Sequence, residues 1–269
     1  MGLARSLPTR YLGIPAANST APMTDSLGFR KKFGVVAPST NTSVQPEFDA
    51  MRPRGVTNHF GRIHIPNDPV RNDDEFNRMM DNIRGAMMEA IDRVMTCEPD
   101  YLILGMSSET FWDGRDGSIK LRERVEARAG VKVAMGSDSC QAALKCYGAR
   151  RLGVVTPYMP VGDEQVRRFL VDCGFEVVRL KGLRCPGPVA IAHVSDKELR
   201  DAIREVDGPD VDAILQVGTN LAMARLAGIA EFWLDKPVLA INTATYWWAL
   251  RQNGIQDKIE GFGSLLLEH

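Results

Sequence analysis

At 269 residues the chain is long enough for one large domain or for two of roughly a hundred residues each. Lys and Arg number 33 against 34 Asp and Glu, a formal net charge of −1, so no global bias draws the protein to nucleic acid or anionic membranes, and a hydrophobic content of 44% with 25% charged residues is that of a globular protein. No apolar run approaches the roughly 20 residues needed to span a bilayer. The five cysteines are scattered, with no CxxC pair and no zinc spacing, which argues against a disulfide framework and suits a cytoplasmic location.

The stretch 1–32 carries Arg5, Arg10 and Ser, Thr and Pro residues without the apolar core of a signal peptide, and is expected to be a flexible extension. Phe33 to Ala37 reads as a buried strand that Pro38-Ser39-Thr40-Asn41-Thr42 ends in a polar turn, and Pro46-Glu47 opens a helix. A second strand is expected between Arg54 and Pro66. Asp73 to Thr96 is a strongly amphipathic helix, with Phe76, Met79, Met80, Ile83, Met87, Ala90, Ile91 and Val94 at helical spacing. Strand Tyr101–Leu104 completes a strand–helix–strand unit. Helix Lys120–Ala129, strand Val131–Ala134 and helix Ser137–Tyr147 follow, the last closed by Gly148.

Arg151 to Tyr158 repeats the pattern of the first strand, an aliphatic run and then a Pro-containing turn. Helix Asp163–Cys173 and strand Glu176–Leu180 come next, and Ser195 with Glu198 forms a capping box for a helix reaching Val206. Strand Ala213–Val217, helix Leu221–Leu226, strand Val238–Ile241 and helix Ala244–Gln252 finish the series. The two halves share one order of elements, which predicts an α/β protein of two parallel-sheet domains with a cleft between them. Residues 33–141 plus 243–266 are assigned to the first domain and 142–242 to the second, while 267–269 read as a tag remnant.

Two strand tips stand out, Gly105-Met106-Ser107-Ser108-Glu109 and Gly218-Thr219-Asn220. Open parallel sheets bind ligands beyond the carboxyl ends of their strands, and both tips offer hydroxyls and backbone N–H groups that suit a carboxylate. GxGxxG, GxxxxGK[ST] and GxSxG are all absent, so nucleotide chemistry and a serine-esterase elbow lose ground.

These motifs resemble a known family. Pro38-Ser39-Thr40-Asn41-Thr42 resembles the Pro-Ser-Ser-Asn-Thr loop of maleate cis-trans isomerases. Ser107-Ser108 with Phe111-Trp112-Asp113-Gly114 looks like the Thr-Ser dioxyanion loop and following Phe-Tyr-Arg-Gly of arylmalonate decarboxylase. Thr156-Pro157-Tyr158 is similar to the segment bearing the binding tyrosine of both enzymes, Asp212-Ala213-Ile214-Leu215 leads into the second tip as it does there, and Gly261-Phe262-Gly263 echoes the C-terminal Gly-x-Gly. The resemblance implies the aspartate/glutamate racemase superfamily, with two pseudo-symmetric three-layer α/β domains, an interdomain active site, no metal or organic cofactor, and a homodimer as an unsurprising assembly.

That superfamily uses a cysteine at one or both tips, whereas this chain has Met106 at the first position and Gly218 at the second. A thioether or a hydrogen atom cannot supply thiolate chemistry. The resemblance leaves a carboxylate-binding set of Asn41, Ser108, Gly218, Thr219 and Asn220, joined by Ser107 and Tyr158, to stabilise a carboxylate as it becomes an enediolate. Glu109 is the candidate acid or base. Each has a plainer role as well: Ser and Thr as helix caps, Asn41 as a turn residue, Tyr158 as a rim aromatic and Glu109 as a cap. Asp138 reads best as a cap, and His193 as structural. The expected function is a cofactor-independent, decarboxylase-like lyase acting on a small carboxylic acid at a cysteine-free site. An isomerase or racemase, a hydrolase in which Ser or Glu activates water, and a non-catalytic carboxylate-binding protein are the alternatives.

Overall fold

The computed structural model describes residues 25–269. Residues 1–24 of the expected extension lie outside the described residues. At its end the Arg30 guanidinium grips the carboxylate of Asp257 with contacts of 2.9 and 2.5 Å.

Each half begins with a strand that is buried on both faces, which is why it reads as an unbroken apolar run rather than an alternation. In the first half, β1 (Lys31–Pro38) lies between β2 (Val56–Ile63) and β3 (Tyr101–Leu104), and β4 (Val133–Ala134) adds the far edge in the order β2-β1-β3-β4. The register sets Val35 against Phe60 on one side and Ile103 on the other. In the second half β5 (Arg151–Thr156), β6 (Glu176–Gly182), β7 (Ala213–Gln216) and β8 (Val238–Ala240) take the matching order β6-β5-β7-β8, again all parallel. Parallel pairing brings every loop that follows a strand to the same edge of its sheet, and the two edges face each other.

Among the described residues eight helices follow the expected order: α1 (Val44–Ala50), α2 (Asp73–Met95), α3 (Gly114–Ala129), α4 (Gly136–Cys146), α5 (Pro160–Asp172), α6 (Asp196–Val206), α7 (Ala224–Leu234) and α8 (Ile241–Gln252); a short α9 (Ser264–Glu268) is an addition to that order. Asn72 caps α2 by accepting from the Glu75 N–H, and three acidic residues in its first turn meet the positive end of the helix dipole. The capping box expected at Ser195 and Glu198 is present on α6. The last long helix, α8, packs against α4, β3 and β4 of the first half. Among the described residues no helix is long and apolar enough to cross a membrane.

Among the boundaries that differ from expectation, two have clear local reasons. The helix expected from Lys120 starts already at Gly114, because Gly114 and Gly117 mask it by propensity while close contacts demand them; a Cβ on Gly117 would sit 2.2 Å from the Trp112 carbonyl oxygen. The helix expected over Leu221–Leu226 is displaced to Ala224–Leu234. Leu221 N–H turns back to the Gly218 carbonyl, and the Glu47 carboxylate of α1 takes the Ala224 N–H that opens α7.

Candidate functional site

A cavity of about 50 Å³ lies on the seam between the two halves, at the carboxyl ends of β1, β3, β5 and β7. Larger hollows exist, one of about 800 Å³ beside Arg122, Lys132 and Trp248 and one of about 570 Å³ along α7, but they are shallow surface grooves away from the strand tips. The seam cavity has the converging donors that ligand sites require.

Its polar end is one hydrogen-bonded cluster drawn from both halves. The Tyr158 phenol at the tip of β5 meets the Ser107 hydroxyl at the tip of β3 at 2.7 Å, and the Thr219 N–H after β7 donates to the Ser107 oxygen at 3.2 Å. Ser107 and Tyr158 hold two hydroxyl protons and use one between them, so one remains for a ligand. The Asn41 side chain accepts the N–H groups of Ser43 and Val44 with its oxygen and donates one N–H to the Thr219 hydroxyl at 2.9 Å, which leaves its second N–H available. Among the described residues the backbone N–H groups of Ser108 and Gly218 carry no internal hydrogen bond, and both residues line the cavity. Burial pushes the Tyr158 phenol well above the ordinary tyrosine range, with Ser107 opposing the shift and Asp163 adding to it, so at neutral pH it is a proton donor and not a phenolate.

The structure brings Asn41, Ser107, Ser108, Tyr158, Gly218, Thr219 and Asn220 together around the cavity and leaves Glu109 out. The side chains of Asn220 and Thr219 are spent internally. Asn220 accepts from the Thr42 and Ser43 N–H groups and donates to the Pro188 carbonyl, a strut between the halves; the Thr219 hydroxyl accepts from Asn41 and donates to the Gly105 carbonyl. Glu109, the expected acid or base, lies outside the cavity lining; burial raises its pKa and Arg84 opposes the shift. It lies in the 3-10 turn after β3, facing α2, and both its carboxylate oxygens are held by Arg84 Nε at 3.0 and 2.9 Å. Asp138 pairs with Arg122 at 2.9 Å, and His193 lies outside the cavity in the turn Ala190–His193.

Sequence reasoning missed most of the apolar lining: Ile65 after β2, Met79 and Ile83 of α2, and Ile191, which join Met106 of the first tip. Met79 and Ile83 were legible only as part of the helix's hydrophobic stripe, which does not distinguish core from cavity. Also missed was Arg62 on β2, which donates to the Asn41 carbonyl at 2.9 Å and to Gln45 at 2.5 Å and so braces the Asn41 loop from behind.

Two buried carboxyl groups support the tips. Asp163 of α5 accepts from the Thr156 hydroxyl, whose oxygen in turn accepts the Tyr158 N–H at 3.2 Å; burial raises its pKa to about 6. Glu47 receives the Asn242 amide at 2.6 Å, and that amide also donates to the Thr219 carbonyl; burial raises the Glu47 pKa to about 6 as well. Both values lie above those of the unfolded chain, so the native state binds these protons more tightly and stability falls as pH rises from about 4 to about 6. For Asp163 alone the span from 3.8 to about 6 is worth about 3 kcal/mol. Melting curves of the native protein and of Asp163→Asn should therefore converge over that interval, the native protein losing its advantage as pH rises. Parallel curves would show that Asp163 titrates at its ordinary value.

The family model for arylmalonate decarboxylase matches residues 74–266. A maleate isomerase of Pseudomonas putida is 24% identical over 249 residues, covering 87% of this chain and 96% of that protein. An arylmalonate decarboxylase of Bordetella bronchiseptica is 26% identical over 165 residues, covering 60% of this chain and 69% of that protein. Among solved structures, a maleate cis-trans isomerase of Nocardia farcinica with a covalently bound succinylcysteine intermediate superposes with a TM-score of 0.81 at 20% identity, covering 89% of this chain and 99% of that one, a match of fold. The family model spans most of the chain, and the maleate isomerase of Pseudomonas putida aligns over nearly its whole length. The chain belongs to the arylmalonate decarboxylase family, in the aspartate/glutamate racemase superfamily of isomerases and lyases that also holds the maleate isomerases.

Proposed function

We propose that the protein is a cofactor-independent lyase that decarboxylates a small malonate-type acid at a cysteine-free site. The observation that carries this reading is the composition of the cavity: hydrogen-bond donors from both halves, five Ile and Met side chains, and Tyr158 as the sole titratable group among its described lining residues. The Nocardia isomerase holds a succinylcysteine intermediate, a carbon–sulfur bond that needs a thiol at the substrate. No lining residue here is a cysteine, and Cys140 and Cys185 are buried elsewhere with thiol pKa values pushed up by burial. Two-base racemisation needs two proton carriers facing one carbon. Decarboxylation needs neither a nucleophile nor a base, only stabilisation of the electron pair left behind and one proton to quench it.

In this mechanism one carboxylate of the substrate lies among the Asn41 amide, the Ser107–Tyr158 pair, the Ser108 hydroxyl and the Ser108 and Gly218 N–H groups. The other faces Ile65, Met79, Ile83, Met106 and Ile191. An apolar surface disfavours a charged carboxylate and tolerates neutral carbon dioxide. When the carbon–carbon bond breaks, its electron pair passes into the bond between Cα and the retained carboxylate, giving an enediolate whose two negative oxygens the donors hold. A proton then adds to Cα, restoring a monocarboxylate. Tyr158 is assigned as the donor of that proton and recovers one from water when product leaves.

The reading is tested by incubating the protein with methylmalonate and related small malonates in D₂O and following the acids by mass spectrometry. Loss of carbon dioxide with one deuterium gained at Cα is expected. Malonates returned unchanged while maleate is converted to fumarate would replace decarboxylation with isomerisation.

Glu109 has a different part in this scheme. It ties α2 to the first tip through Arg84, so Glu109→Gln is expected to lower kcat by less than tenfold while reducing stability by about 1–3 kcal/mol, the cost of taking the buried carboxylate from a guanidinium that keeps only the exposed Asp81 as partner. Steady-state kinetics beside a urea titration separates the two effects. A hundredfold loss of kcat with unchanged stability would return Glu109 to the chemistry.

A further inference from the structure

The wall contributed by α2 sets the substrate's size. We infer that Met79 and Ile83 restrict the cavity to acids bearing a small, non-aromatic substituent, and that the Arg84–Glu109 ion pair keeps that wall in place. The inference rests on the decarboxylase reading for its chemistry and on the cavity's geometry for its size limit.

A cavity of about 50 Å³ has room for roughly three to five water-sized groups, which two carboxylates on one carbon with a short aliphatic stub already fill. A phenyl ring exceeds what remains once both carboxylates are in place. The wall that stands in its way is not a loop tip. Met79 and Ile83 lie one helical turn apart on α2, a helix of 23 residues, so their side chains form one ridge facing the cavity. On either side of that ridge the helix is fixed to the site. Arg84, next to Ile83, binds Glu109 and lies over the Trp112 ring at 4.9 Å. Phe76, one turn before Met80, stacks on Trp112 with ring centres 6.2 Å apart and meets Tyr158 edge-on at 5.5 Å. Backing α2 away to admit a ring would break the ion pair and disturb the aromatic contact that positions the phenol. The wall also carries no Lys, Arg or His, so a second ionised group on the substrate finds no counter-charge there.

The test compares methylmalonate with phenylmalonate, first for binding by isothermal calorimetry and then for carbon dioxide release, in the native protein and in Met79→Ala. The native protein is expected to bind methylmalonate at least tenfold more tightly and to turn it over at least a hundredfold faster in kcat/KM. Met79→Ala is expected to raise kcat/KM for phenylmalonate at least tenfold. Ile83→Val, a smaller cut at a fully packed position, is the second variant and should move phenylmalonate in the same direction by a smaller factor. Equal binding and turnover of both acids by the native protein would overturn the size limit and leave the decarboxylase reading standing. Selective binding of methylmalonate with no carbon dioxide would overturn that reading and leave the size limit standing. Binding of neither acid would overturn both.

Discussion

Tyr158→Phe is expected to lower kcat for the small malonate by two to three orders of magnitude, roughly the loss that follows removal of one preorganised oxyanion donor. The substitution deletes a single oxygen from a ring that is otherwise fully packed, edge-on to Phe76, so the cavity keeps its shape. The oxygen that goes is the one paired with Ser107 at 2.7 Å, and Ser107 keeps the Thr219 N–H as its remaining contact. The stability cost is that of one ordinary hydrogen bond, about 1 kcal/mol. The loss should fall on kcat and not on KM, because the phenol's bond strengthens as charge moves onto the retained carboxylate; uniform binding lost from both states would raise KM instead. In D₂O, single-turnover traces should show slow carbon dioxide release and slow deuterium incorporation together. Unchanged kcat in a folded Tyr158→Phe protein would remove the phenol from the mechanism and pass the proton to water.

Strand tips were legible because a buried parallel strand is a continuous apolar run, and the first polar residues after it mark its end. Ser107, Ser108, Tyr158 and Gly218 follow from that pattern and line one cavity in the structure. The share each side chain keeps for a ligand was not legible, because it depends on partners far away in the chain. Asn220 reads as a donor at a loop, yet its amide is consumed by Thr42, Ser43 and Pro188, which only the pairing of the two halves brings within reach. Glu109 shows the same dependence: a carboxylate beside a tip reads as a free acid, and only the fold reveals that α2 supplies Arg84 to it. The apolar wall was hidden differently. Phe76, Met79, Met80 and Ile83 form one stripe, and helical periodicity says that a face is covered without saying whether protein or substrate covers it.

Placing a thiol at the second tip is expected to fail. Gly218→Cys should lower the melting temperature by about 6–12 °C and abolish turnover without creating isomerase activity. Gly218 sits at φ +116°, beyond the left-handed region that other residues tolerate, and a Cβ there would lie 2.5 Å from Pro157 Cδ and 2.7 Å from Cγ. Backbone strain and overpacking together cost about 3 kcal/mol or more, and each kcal/mol is worth about 2–4 °C in a chain of this size. Neither neighbour can yield cheaply. The Pro157 carbonyl accepts the Cys185 N–H, and Pro157 stands between Thr156, anchored on Asp163, and Tyr158. Moving Pro157 therefore moves the phenol away from Ser107, which is why activity should fall with stability. On the other side the Gln216 amide holds the Gly218 carbonyl at 2.8 Å and keeps the tip from rotating. Pro157→Ala combined with Gly218→Cys removes the ring but not the backbone strain, so the pair should recover part of the stability lost by Gly218→Cys, a favourable coupling in a double-mutant cycle. A Gly218→Cys protein that melts like the parent and still turns over malonate would mean that the tip relaxes freely. The absence of a thiol there would then be a matter of side-chain choice alone, and not of the backbone that Pro157 and Gln216 hold.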